Sequence, residues 1–310
     1  MNRHVLLATD GSPHAQSAAK YLVQLFAQRE DFEVTVVSVA EPPPSYLFRP
    51  VPGLSEIERE EKLEKIQAQN LSQAQRCVEE TRRLLLEGGL AEEKVHTKVA
   101  LSRGDVAQTL LQEAREGLFD ALVTGRRGLG RLASAWMGSV SQRLVEYGQG
   151  VPVWVVDGAR WSKRFLVAVD LGEPGLTLVD HVFFILSGDP EAEVTLLHVI
   201  SSFLPGEAEE GLEDVQELLL KQEEEEAARF FAQVEDMLRE SALSKDQVRV
   251  KIRKEPFGAA GAILDEAKEG GYGTVVLGRR GRGGFKGLLL GSVASKVLFN
   301  LDQQAIGVVG

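Results

Sequence analysis

The chain has 310 residues, 44% hydrophobic and 26% charged, with a formal net charge of −11. That length gives about two domains of roughly 150 residues. The acidic balance excludes a general binder of nucleic acid or of anionic membranes, because polyanions are held by excess Lys and Arg. Cys77 is the single cysteine, so no intrachain disulfide forms, which fits a reducing compartment. There is no apolar run near 18 residues. The N-terminal run in MNRHVLLATDGS is too short for a signal-peptide core. The expected location is the cytoplasm, with no membrane partner.

Val5 to Thr9 is the first β-rich run, broken by Asp10-Gly11-Ser12-Pro13. Pro13 suits a helix's first turn, and Ala15, Ala18, Ala19, Leu22, Val23 and Phe26 continue at helical spacing. Val34 to Val39 is the second strand, stopped by Glu41-Pro42-Pro43-Pro44. Residues 45–53 read as an irregular loop, and Glu56 to Glu87 as a long charged helix closed by Gly88-Gly89. Val95 to Leu101, Leu122 to Thr124 and Val151 to Val156 are strands three to five, with helices over 104–116 and 140–147 between them. Strand alternating with helix predicts βαβ units and a parallel sheet.

The second half repeats this order. HVLLATD (4–10) matches RFLVAVD (164–170) and EVTVVSV (33–39) matches EVTLLHV (193–199), both at 170 − 10 = 160. VHTKV (95–99) matches VRVKI (248–252) at 248 − 95 = 153. The joint falls near Asp157 to Lys163, giving domains 1–158 and 159–310. Val179, Val182, Phe183 and Leu186 form a helical stripe, and Ile306 to Val309 closes the second sheet. The run Glu223 to Glu226, in a helix over about 211–240, reads as a solvated face.

The organising feature is a loop present twice. Gly125-Arg126-Arg127-Gly128 follows ALVT and leads after nine residues (138 − 128 − 1) to Gly138-Ser139. Gly278-Arg279-Arg280-Gly281 follows TVVL and leads after nine residues (291 − 281 − 1) to Gly291-Ser292. Glycine lets a ligand approach backbone N–H groups, and a helix N-terminus attracts anions. Ser139 and Ser292 suit N-caps that add a hydroxyl donor. Strand, glycine loop and helix start together make a phosphate cradle. It is neither the P-loop nor the Rossmann fingerprint.

In open parallel sheets, ligands bind beyond the carboxyl ends of the strands, at the switch point. There Asp10, Val39 and Gly125 converge in one half, and Asp170, Val199 and Gly278 in the other. An Asp suits a hydroxyl or amino donor; its competing role is an Asx-turn.

An Asp after strand one, with Gly-x2-Gly-x9-Gly-Ser after strand four, resembles the ATP-binding branch of the universal stress proteins. The resemblance spans both halves, so the chain resembles a tandem universal stress protein. It implies two five-stranded parallel α/β domains of strand order 3-2-1-4-5, related by a pseudo-twofold axis and paired through VPVWVV (151–156) and AIGVV (305–309). Pairing of two chains into a homodimer is a further level. The implied ligand is ATP, with AMP and ADP as other occupants and Mg2+ accompanying the triphosphate. The implied contacts are Asp10, Val39, Gly125, Arg127, Gly128, Gly138, Ser139 and Val140, then Asp170, Val199, Gly278, Arg280, Gly281, Gly291, Ser292 and Val293. Arg126 and Arg279 are assigned no contact. Gly104 falls opposite Phe257, with Gly258 one residue later, and the first loops differ, so the two sites need not be equal.

No catalytic constellation stands out. His4, His14, His96, His181 and His198 pair with no Cys or carboxylate at metal-ligand spacing, so no metal site is expected. His198 reads as a satisfied structural histidine, Cys77 has no evident partner, and Trp136 reads as packing beneath its loop, with stacking on a base as the alternative. The leading expectation is a stress-response regulator that binds ATP and signals to an unidentified protein. The alternatives are a slow ATPase on the same fold and a nucleotide-free assembly module.

Overall fold

Alternating apolar runs and amphipathic stripes leave each half one low-energy arrangement, a parallel sheet covered by its own crossover helices. The computed structural model describes the chain except Met1, Val51, Arg103, residues 128–136, Arg160, residues 201–212, 256–257 and 282–289, and the side chains of 213, 214 and 216. It divides into two units, Met1–Asp157 and Gly158–Gly310.

In the first unit the strands are β1 (Arg3–Ala8), β2 (Phe32–Ala40), β3 (Val95–Leu101), β4 (Ala121–Gly125) and β5 (Val153–Val156). The helices are α1 (Pro13–Phe26), α2 (Glu56–Glu87), α3 (Val106–Glu116) and α4 (Ser139–Tyr147). All strand pairings are parallel and the order is β3-β2-β1-β4-β5. Leu6 and Leu7 of the central strand are fully buried, one on each face. Each stabilises the fold by about 1.5–3 kcal/mol. The edge strand β3 turns His96, Thr97 and Lys98 to solvent, and such polar edges deter strand addition. Strand β5 starts at Val153, two residues later than expected. Pro152 has no N–H to donate, although its carbonyl accepts the Leu122 N–H at 2.8 Å.

Local signals set the helix ends. The Ser12 hydroxyl accepts the Ala15 N–H ahead of α1, and Ser55 with Glu58 forms a capping box at α2. Val23 is half-buried on its helix, where it packs against the end of α2. A Cβ on Gly88 would stand 2.5 Å from a Val23 methyl.

The second unit carries β6 (Arg164–Ala168), β7 (Glu193–Ile200), β8 (Val248–Lys254), β9 (Thr274–Gly278) and β10 (Ala305–Val309). Its helices are α5 (Glu173–Leu186), α6 (Glu213–Glu240), α7 (Ala259–Glu269) and α8 (Ser292–Asn300). The order β8-β7-β6-β9-β10, again all parallel, repeats the first. The repeat is not strict at the helix starts. Gly104 (φ +113°) precedes the cap residue Asp105, whereas Gly258 (φ +97°) is itself the cap of α7. Phe257 lies outside the described residues. Among the described residues, no helix is long and apolar enough to cross a membrane.

Candidate functional site

Each glycine loop is stitched closed by the same two backbone hydrogen bonds. The Arg126 N–H donates to the Val156 carbonyl at 2.8 Å and the Gly138 N–H to the Arg126 carbonyl at 2.9 Å. Arg279 to Val309 and Gly291 to Arg279 repeat them at 2.8 and 2.9 Å. The end of β4 or β9 is thereby pinned to the start of its helix. The first arginine of each pair turns inward. Arg126 is 4% exposed and bonds Asp157 Oδ2 at 3.0 Å, and Arg279 is 3% exposed with Nε on the Gly310 carbonyl at 2.8 Å. These two anchor the loop. The second arginines sit differently: Nε of Arg127 and of Arg280 is buried with no hydrogen-bond partner among the described residues.

The serine caps expected from the sequence are corrected. Gly138 and Gly291 are the N-caps, extended at φ −68°, and Ser139 and Ser292 are the first helical residues. The Gly138 and Gly291 carbonyls accept the first helical bonds, from Gln142 and Ser295, at 2.9 Å. With the glycine N–H already engaged inside the loop, the donors presented by α8 are the N–H groups of Ser292, Val293 and Ala294, which helix geometry leaves without an intrahelical acceptor. In α4 the same positions are Ser139, Val140 and Ser141. Ser141, missed in the sequence, sends its hydroxyl to the Gly125 carbonyl at 2.7 Å.

In the second unit all eight residues named from the sequence line one cleft of about 590 Å³: Asp170, Val199, Gly278, Arg280, Gly281, Gly291, Ser292 and Val293. Asp170 lies two residues beyond β6, Val199 lies in β7, and the rest run from the end of β9 into the first turn of α8. Asp170 stands against the loop, since a Cβ on Gly281 would be 2.6 Å from its Oδ2.

Two further lining residues were misjudged. His198 is 3% exposed, and its Nδ1 bonds the Val169 carbonyl at 3.2 Å. Its Nε2 has no hydrogen-bond partner among the described residues, and Glu223 Oε1 is 3.5 Å away. The expectation of a satisfied histidine holds for one nitrogen only. Glu223 belongs to the run read as solvated, and its neighbours Glu224 and Glu225 are indeed exposed. Spacing is the signal that was available, because Glu223 precedes the buried stripe Ala227, Phe230, Val234 and Leu238 on one helical face.

In the first unit, Asp10 follows β1, Val39 lies in β2, Gly125 ends β4 and Arg127 follows it. Gly138, Ser139 and Val140 open α4. Gly128 and Trp136 lie outside the described residues. Asp10 makes the Asx-turn named as its competing role, its Oδ1 accepting the Ser12 N–H at 3.0 Å. Gly125 is required by packing: a Cβ there would fall 2.4 Å from the His14 carbonyl. Helix α2 lies over this loop, with Thr81 Oγ1 2.8 Å from Thr9 Oγ1, and Cys77 Sγ 2.9 Å from where a Gly11 Cβ would stand. Burial pushes the Cys77 thiol pKa up, so it is held as an inert thiol.

Comparison with known proteins agrees with this fold. The model of the universal stress protein family matches residues 1–157 and again 162–303. A universal stress protein of Mycobacterium tuberculosis is 27% identical over 324 residues, covering 98% of this chain and 94% of its own. One from Thermus aquaticus is 34% identical over 145 residues, 47% of this chain and 92% of its own. Among solved structures, a universal stress protein from Archaeoglobus fulgidus superposes with a TM-score of 0.61 at 19% identity, covering 98% of this chain and 97% of that one. One described as a putative universal stress protein, from Pseudomonas aeruginosa, does so at 0.55 and 17% identity, with 99% and 93% covered. With two matched segments that together span nearly its whole length, this chain belongs to the universal stress protein family.

Proposed function

We propose that the second unit binds ATP in its cleft, that the first unit carries the counterpart site, and that occupancy is signalled to a protein partner. The observation that carries this reading is the convergence on one cleft of eight residues named from strand ends, loop spacing and the family resemblance. A volume of about 590 Å³ lies inside the usual range for small-molecule sites. The N-terminus of α8 and Arg280, with Gly281 beside them, offer cationic and N–H donors suited to phosphates. Asp170, beside Gly281, and Val199 near the end of β7 are suited to ribose and base. The buried His198 Nε2 is an acceptor awaiting a donor such as an adenine amino group. AMP and ADP fit the same donors with fewer phosphate contacts, and Mg2+ would accompany the triphosphate.

Binding is favoured over turnover by the donor set. Efficient hydrolysis needs metal carboxylates and a water-positioning base beside the phosphates. Around α8 the described lining residues are Arg280, glycines, Ser292, Val293 and Ala294; the cleft's carboxylates, Asp170 beside Gly281 and Glu223 beside His198, belong to no group of three metal-ligating side chains among the described residues. The test is calorimetric titration with ATP and Mg2+ after checking that no nucleotide co-purifies. Two equivalents support both sites. One equivalent lost on Gly291→Trp but kept on Gly138→Trp supports the second alone. No binding at millimolar ATP overturns the proposal, and stoichiometric ADP release during the titration favours a slow ATPase.

A further inference from the structure

At the amino ends of its strands, away from the glycine loop, the first unit gathers two histidines and a glutamate. His4 on β1 lies opposite Glu33 on β2, and Thr35 on β2 lies opposite His96 on β3. Residues two apart on a strand share a face, so His4, Glu33, Thr35 and His96 stand on one side of the sheet. One nitrogen from each imidazole and one Glu33 oxygen lie within 4.8 Å of one another. Neighbours hold each group. Asn2 Nδ2 donates to Glu33 Oε1 at 2.8 Å, with Lys94 Nζ at 3.5 Å from the same oxygen. Oε2 is thereby turned toward His96 Nε2, 3.5 Å away. The His4 ring packs against Phe119 with centroids 4.5 Å apart, its Nε2 is 2.8 Å from Thr35 Oγ1, and its backbone N–H bonds Asp120 Oδ2 at 2.7 Å. His4 and Glu33 are half-buried, and His96 is exposed.

We propose that His4, Glu33 and His96 form a site for a divalent first-row transition ion of the zinc type, clipping β1, β2 and β3 together. Two imidazoles and a carboxylate are borderline donors, suited to zinc, cobalt or nickel rather than to calcium or magnesium. Ligand bonds of about 2.0–2.2 Å need the three donor atoms drawn slightly closer, which rotation of the exposed His96 side chain supplies. The fourth position stays open to water. Asn2 and Lys94 act on the oxygen the ion does not use, as outer-shell groups that orient a ligand.

The second unit provides an internal contrast. At the matching offsets, 160 and 153, Arg164 stands for His4, Glu193 for Glu33 and Arg249 for His96. There Arg164 Nε sits 3.3 Å from Glu193 Oε2. A guanidinium has no lone pair to offer a metal, so that carboxylate is satisfied by an ion pair. The first unit puts imidazoles, which do have lone pairs, in the same places. One metal equivalent per chain is expected.

The test uses tag-free full chain, treated with chelator and without nucleotide. Zn2+ is titrated in competition with a chromophoric chelator, and Co2+ is followed by visible absorption. The expected result is one equivalent, with the intense Co2+ bands of a four-coordinate site. His96→Ala and Glu33→Gln should each weaken it by at least about tenfold, while Asp170→Asn leaves it unchanged. Zinc should raise the melting temperature of the parent chain but not of His96→Ala. Since His96 is exposed, that variant keeps its fold, which circular dichroism checks. Absence of binding, or binding unaffected by both substitutions, would overturn the assignment.

Discussion

Gly281→Ala separates the proposed role of Asp170 from general damage to the cleft. The new Cβ would stand 2.6 Å from Asp170 Oδ2, closer than real Cβ atoms come. Gly281 is exposed and has no positive φ, so alanine itself adds no backbone strain. The Asp170 carboxylate must retreat by several tenths of an ångström, which takes a ligand hydrogen bond of ordinary length beyond the useful range. A hydrogen bond to a charged group contributes about 1.5–3 kcal/mol, so ATP affinity in the second unit should fall about 10- to 150-fold at 1.4 kcal/mol per decade. The assay is calorimetry in a Gly138→Trp background, so that only the second cleft reports. Asp170→Asn should cause a similar loss, and the double variant should lose little more, because both changes remove one interaction. Melting temperatures should stay close to the background. Two outcomes would refute the reasoning: Gly281→Ala binding within about twofold of the background, or losses in the double variant that simply add.

Three other outcomes follow from the same geometry. Ser292→Ala removes one neutral hydroxyl donor at the first helical position, so affinity should drop by only about 0.5–1.5 kcal/mol; a loss of several more would mean that Ser292 does something other than donate one bond. His198→Ala should reduce the second cleft's preference for ATP over GTP, because guanine presents a carbonyl acceptor where adenine presents an amino donor; an unchanged ratio in competitive titration would exclude His198 from reading the base. Burial depresses the His181 imidazole to about 4. The unfolded chain therefore takes up that proton first, and stability is full above pH 6.5 and is lost as pH falls from 6.5 toward 4. At 1.36 kcal/mol per unit the loss is about 3 kcal/mol at most, and denaturant melts of His181→Gln should show a flatter profile; equal slopes in both proteins would contradict it.

Much of the fold was readable without coordinates. Helix α2 runs Glu56–Glu87 and β3 runs Val95–Leu101, as apolar period and glycine punctuation indicate, because these signals are local. The duplicated loop could be read for the same reason: equal spacing after equal strands calls for equal geometry. What failed did so at contacts between distant segments. Gly125 reads from its loop only, while its packing against His14, which also demands glycine, has no local signal. The serines after the glycines read as caps, yet loop closure gives that position to Gly138 and Gly291.

The amino-acid sequence by itself determined the two α/β halves, their family and the residues that meet in the second cleft, since each rests on short-range patterning and an internal repeat. Three things were left to the packing. Helix α6 brings Glu223 to His198, the first arginines become anchors while Arg127 and Arg280 do not, and strand register assembles His4, Glu33 and His96. Their sequence separations are large, and only the burial of a shared sheet makes them neighbours. No local propensity encodes a hydrogen bond or ligand set whose members meet only after the chain has closed.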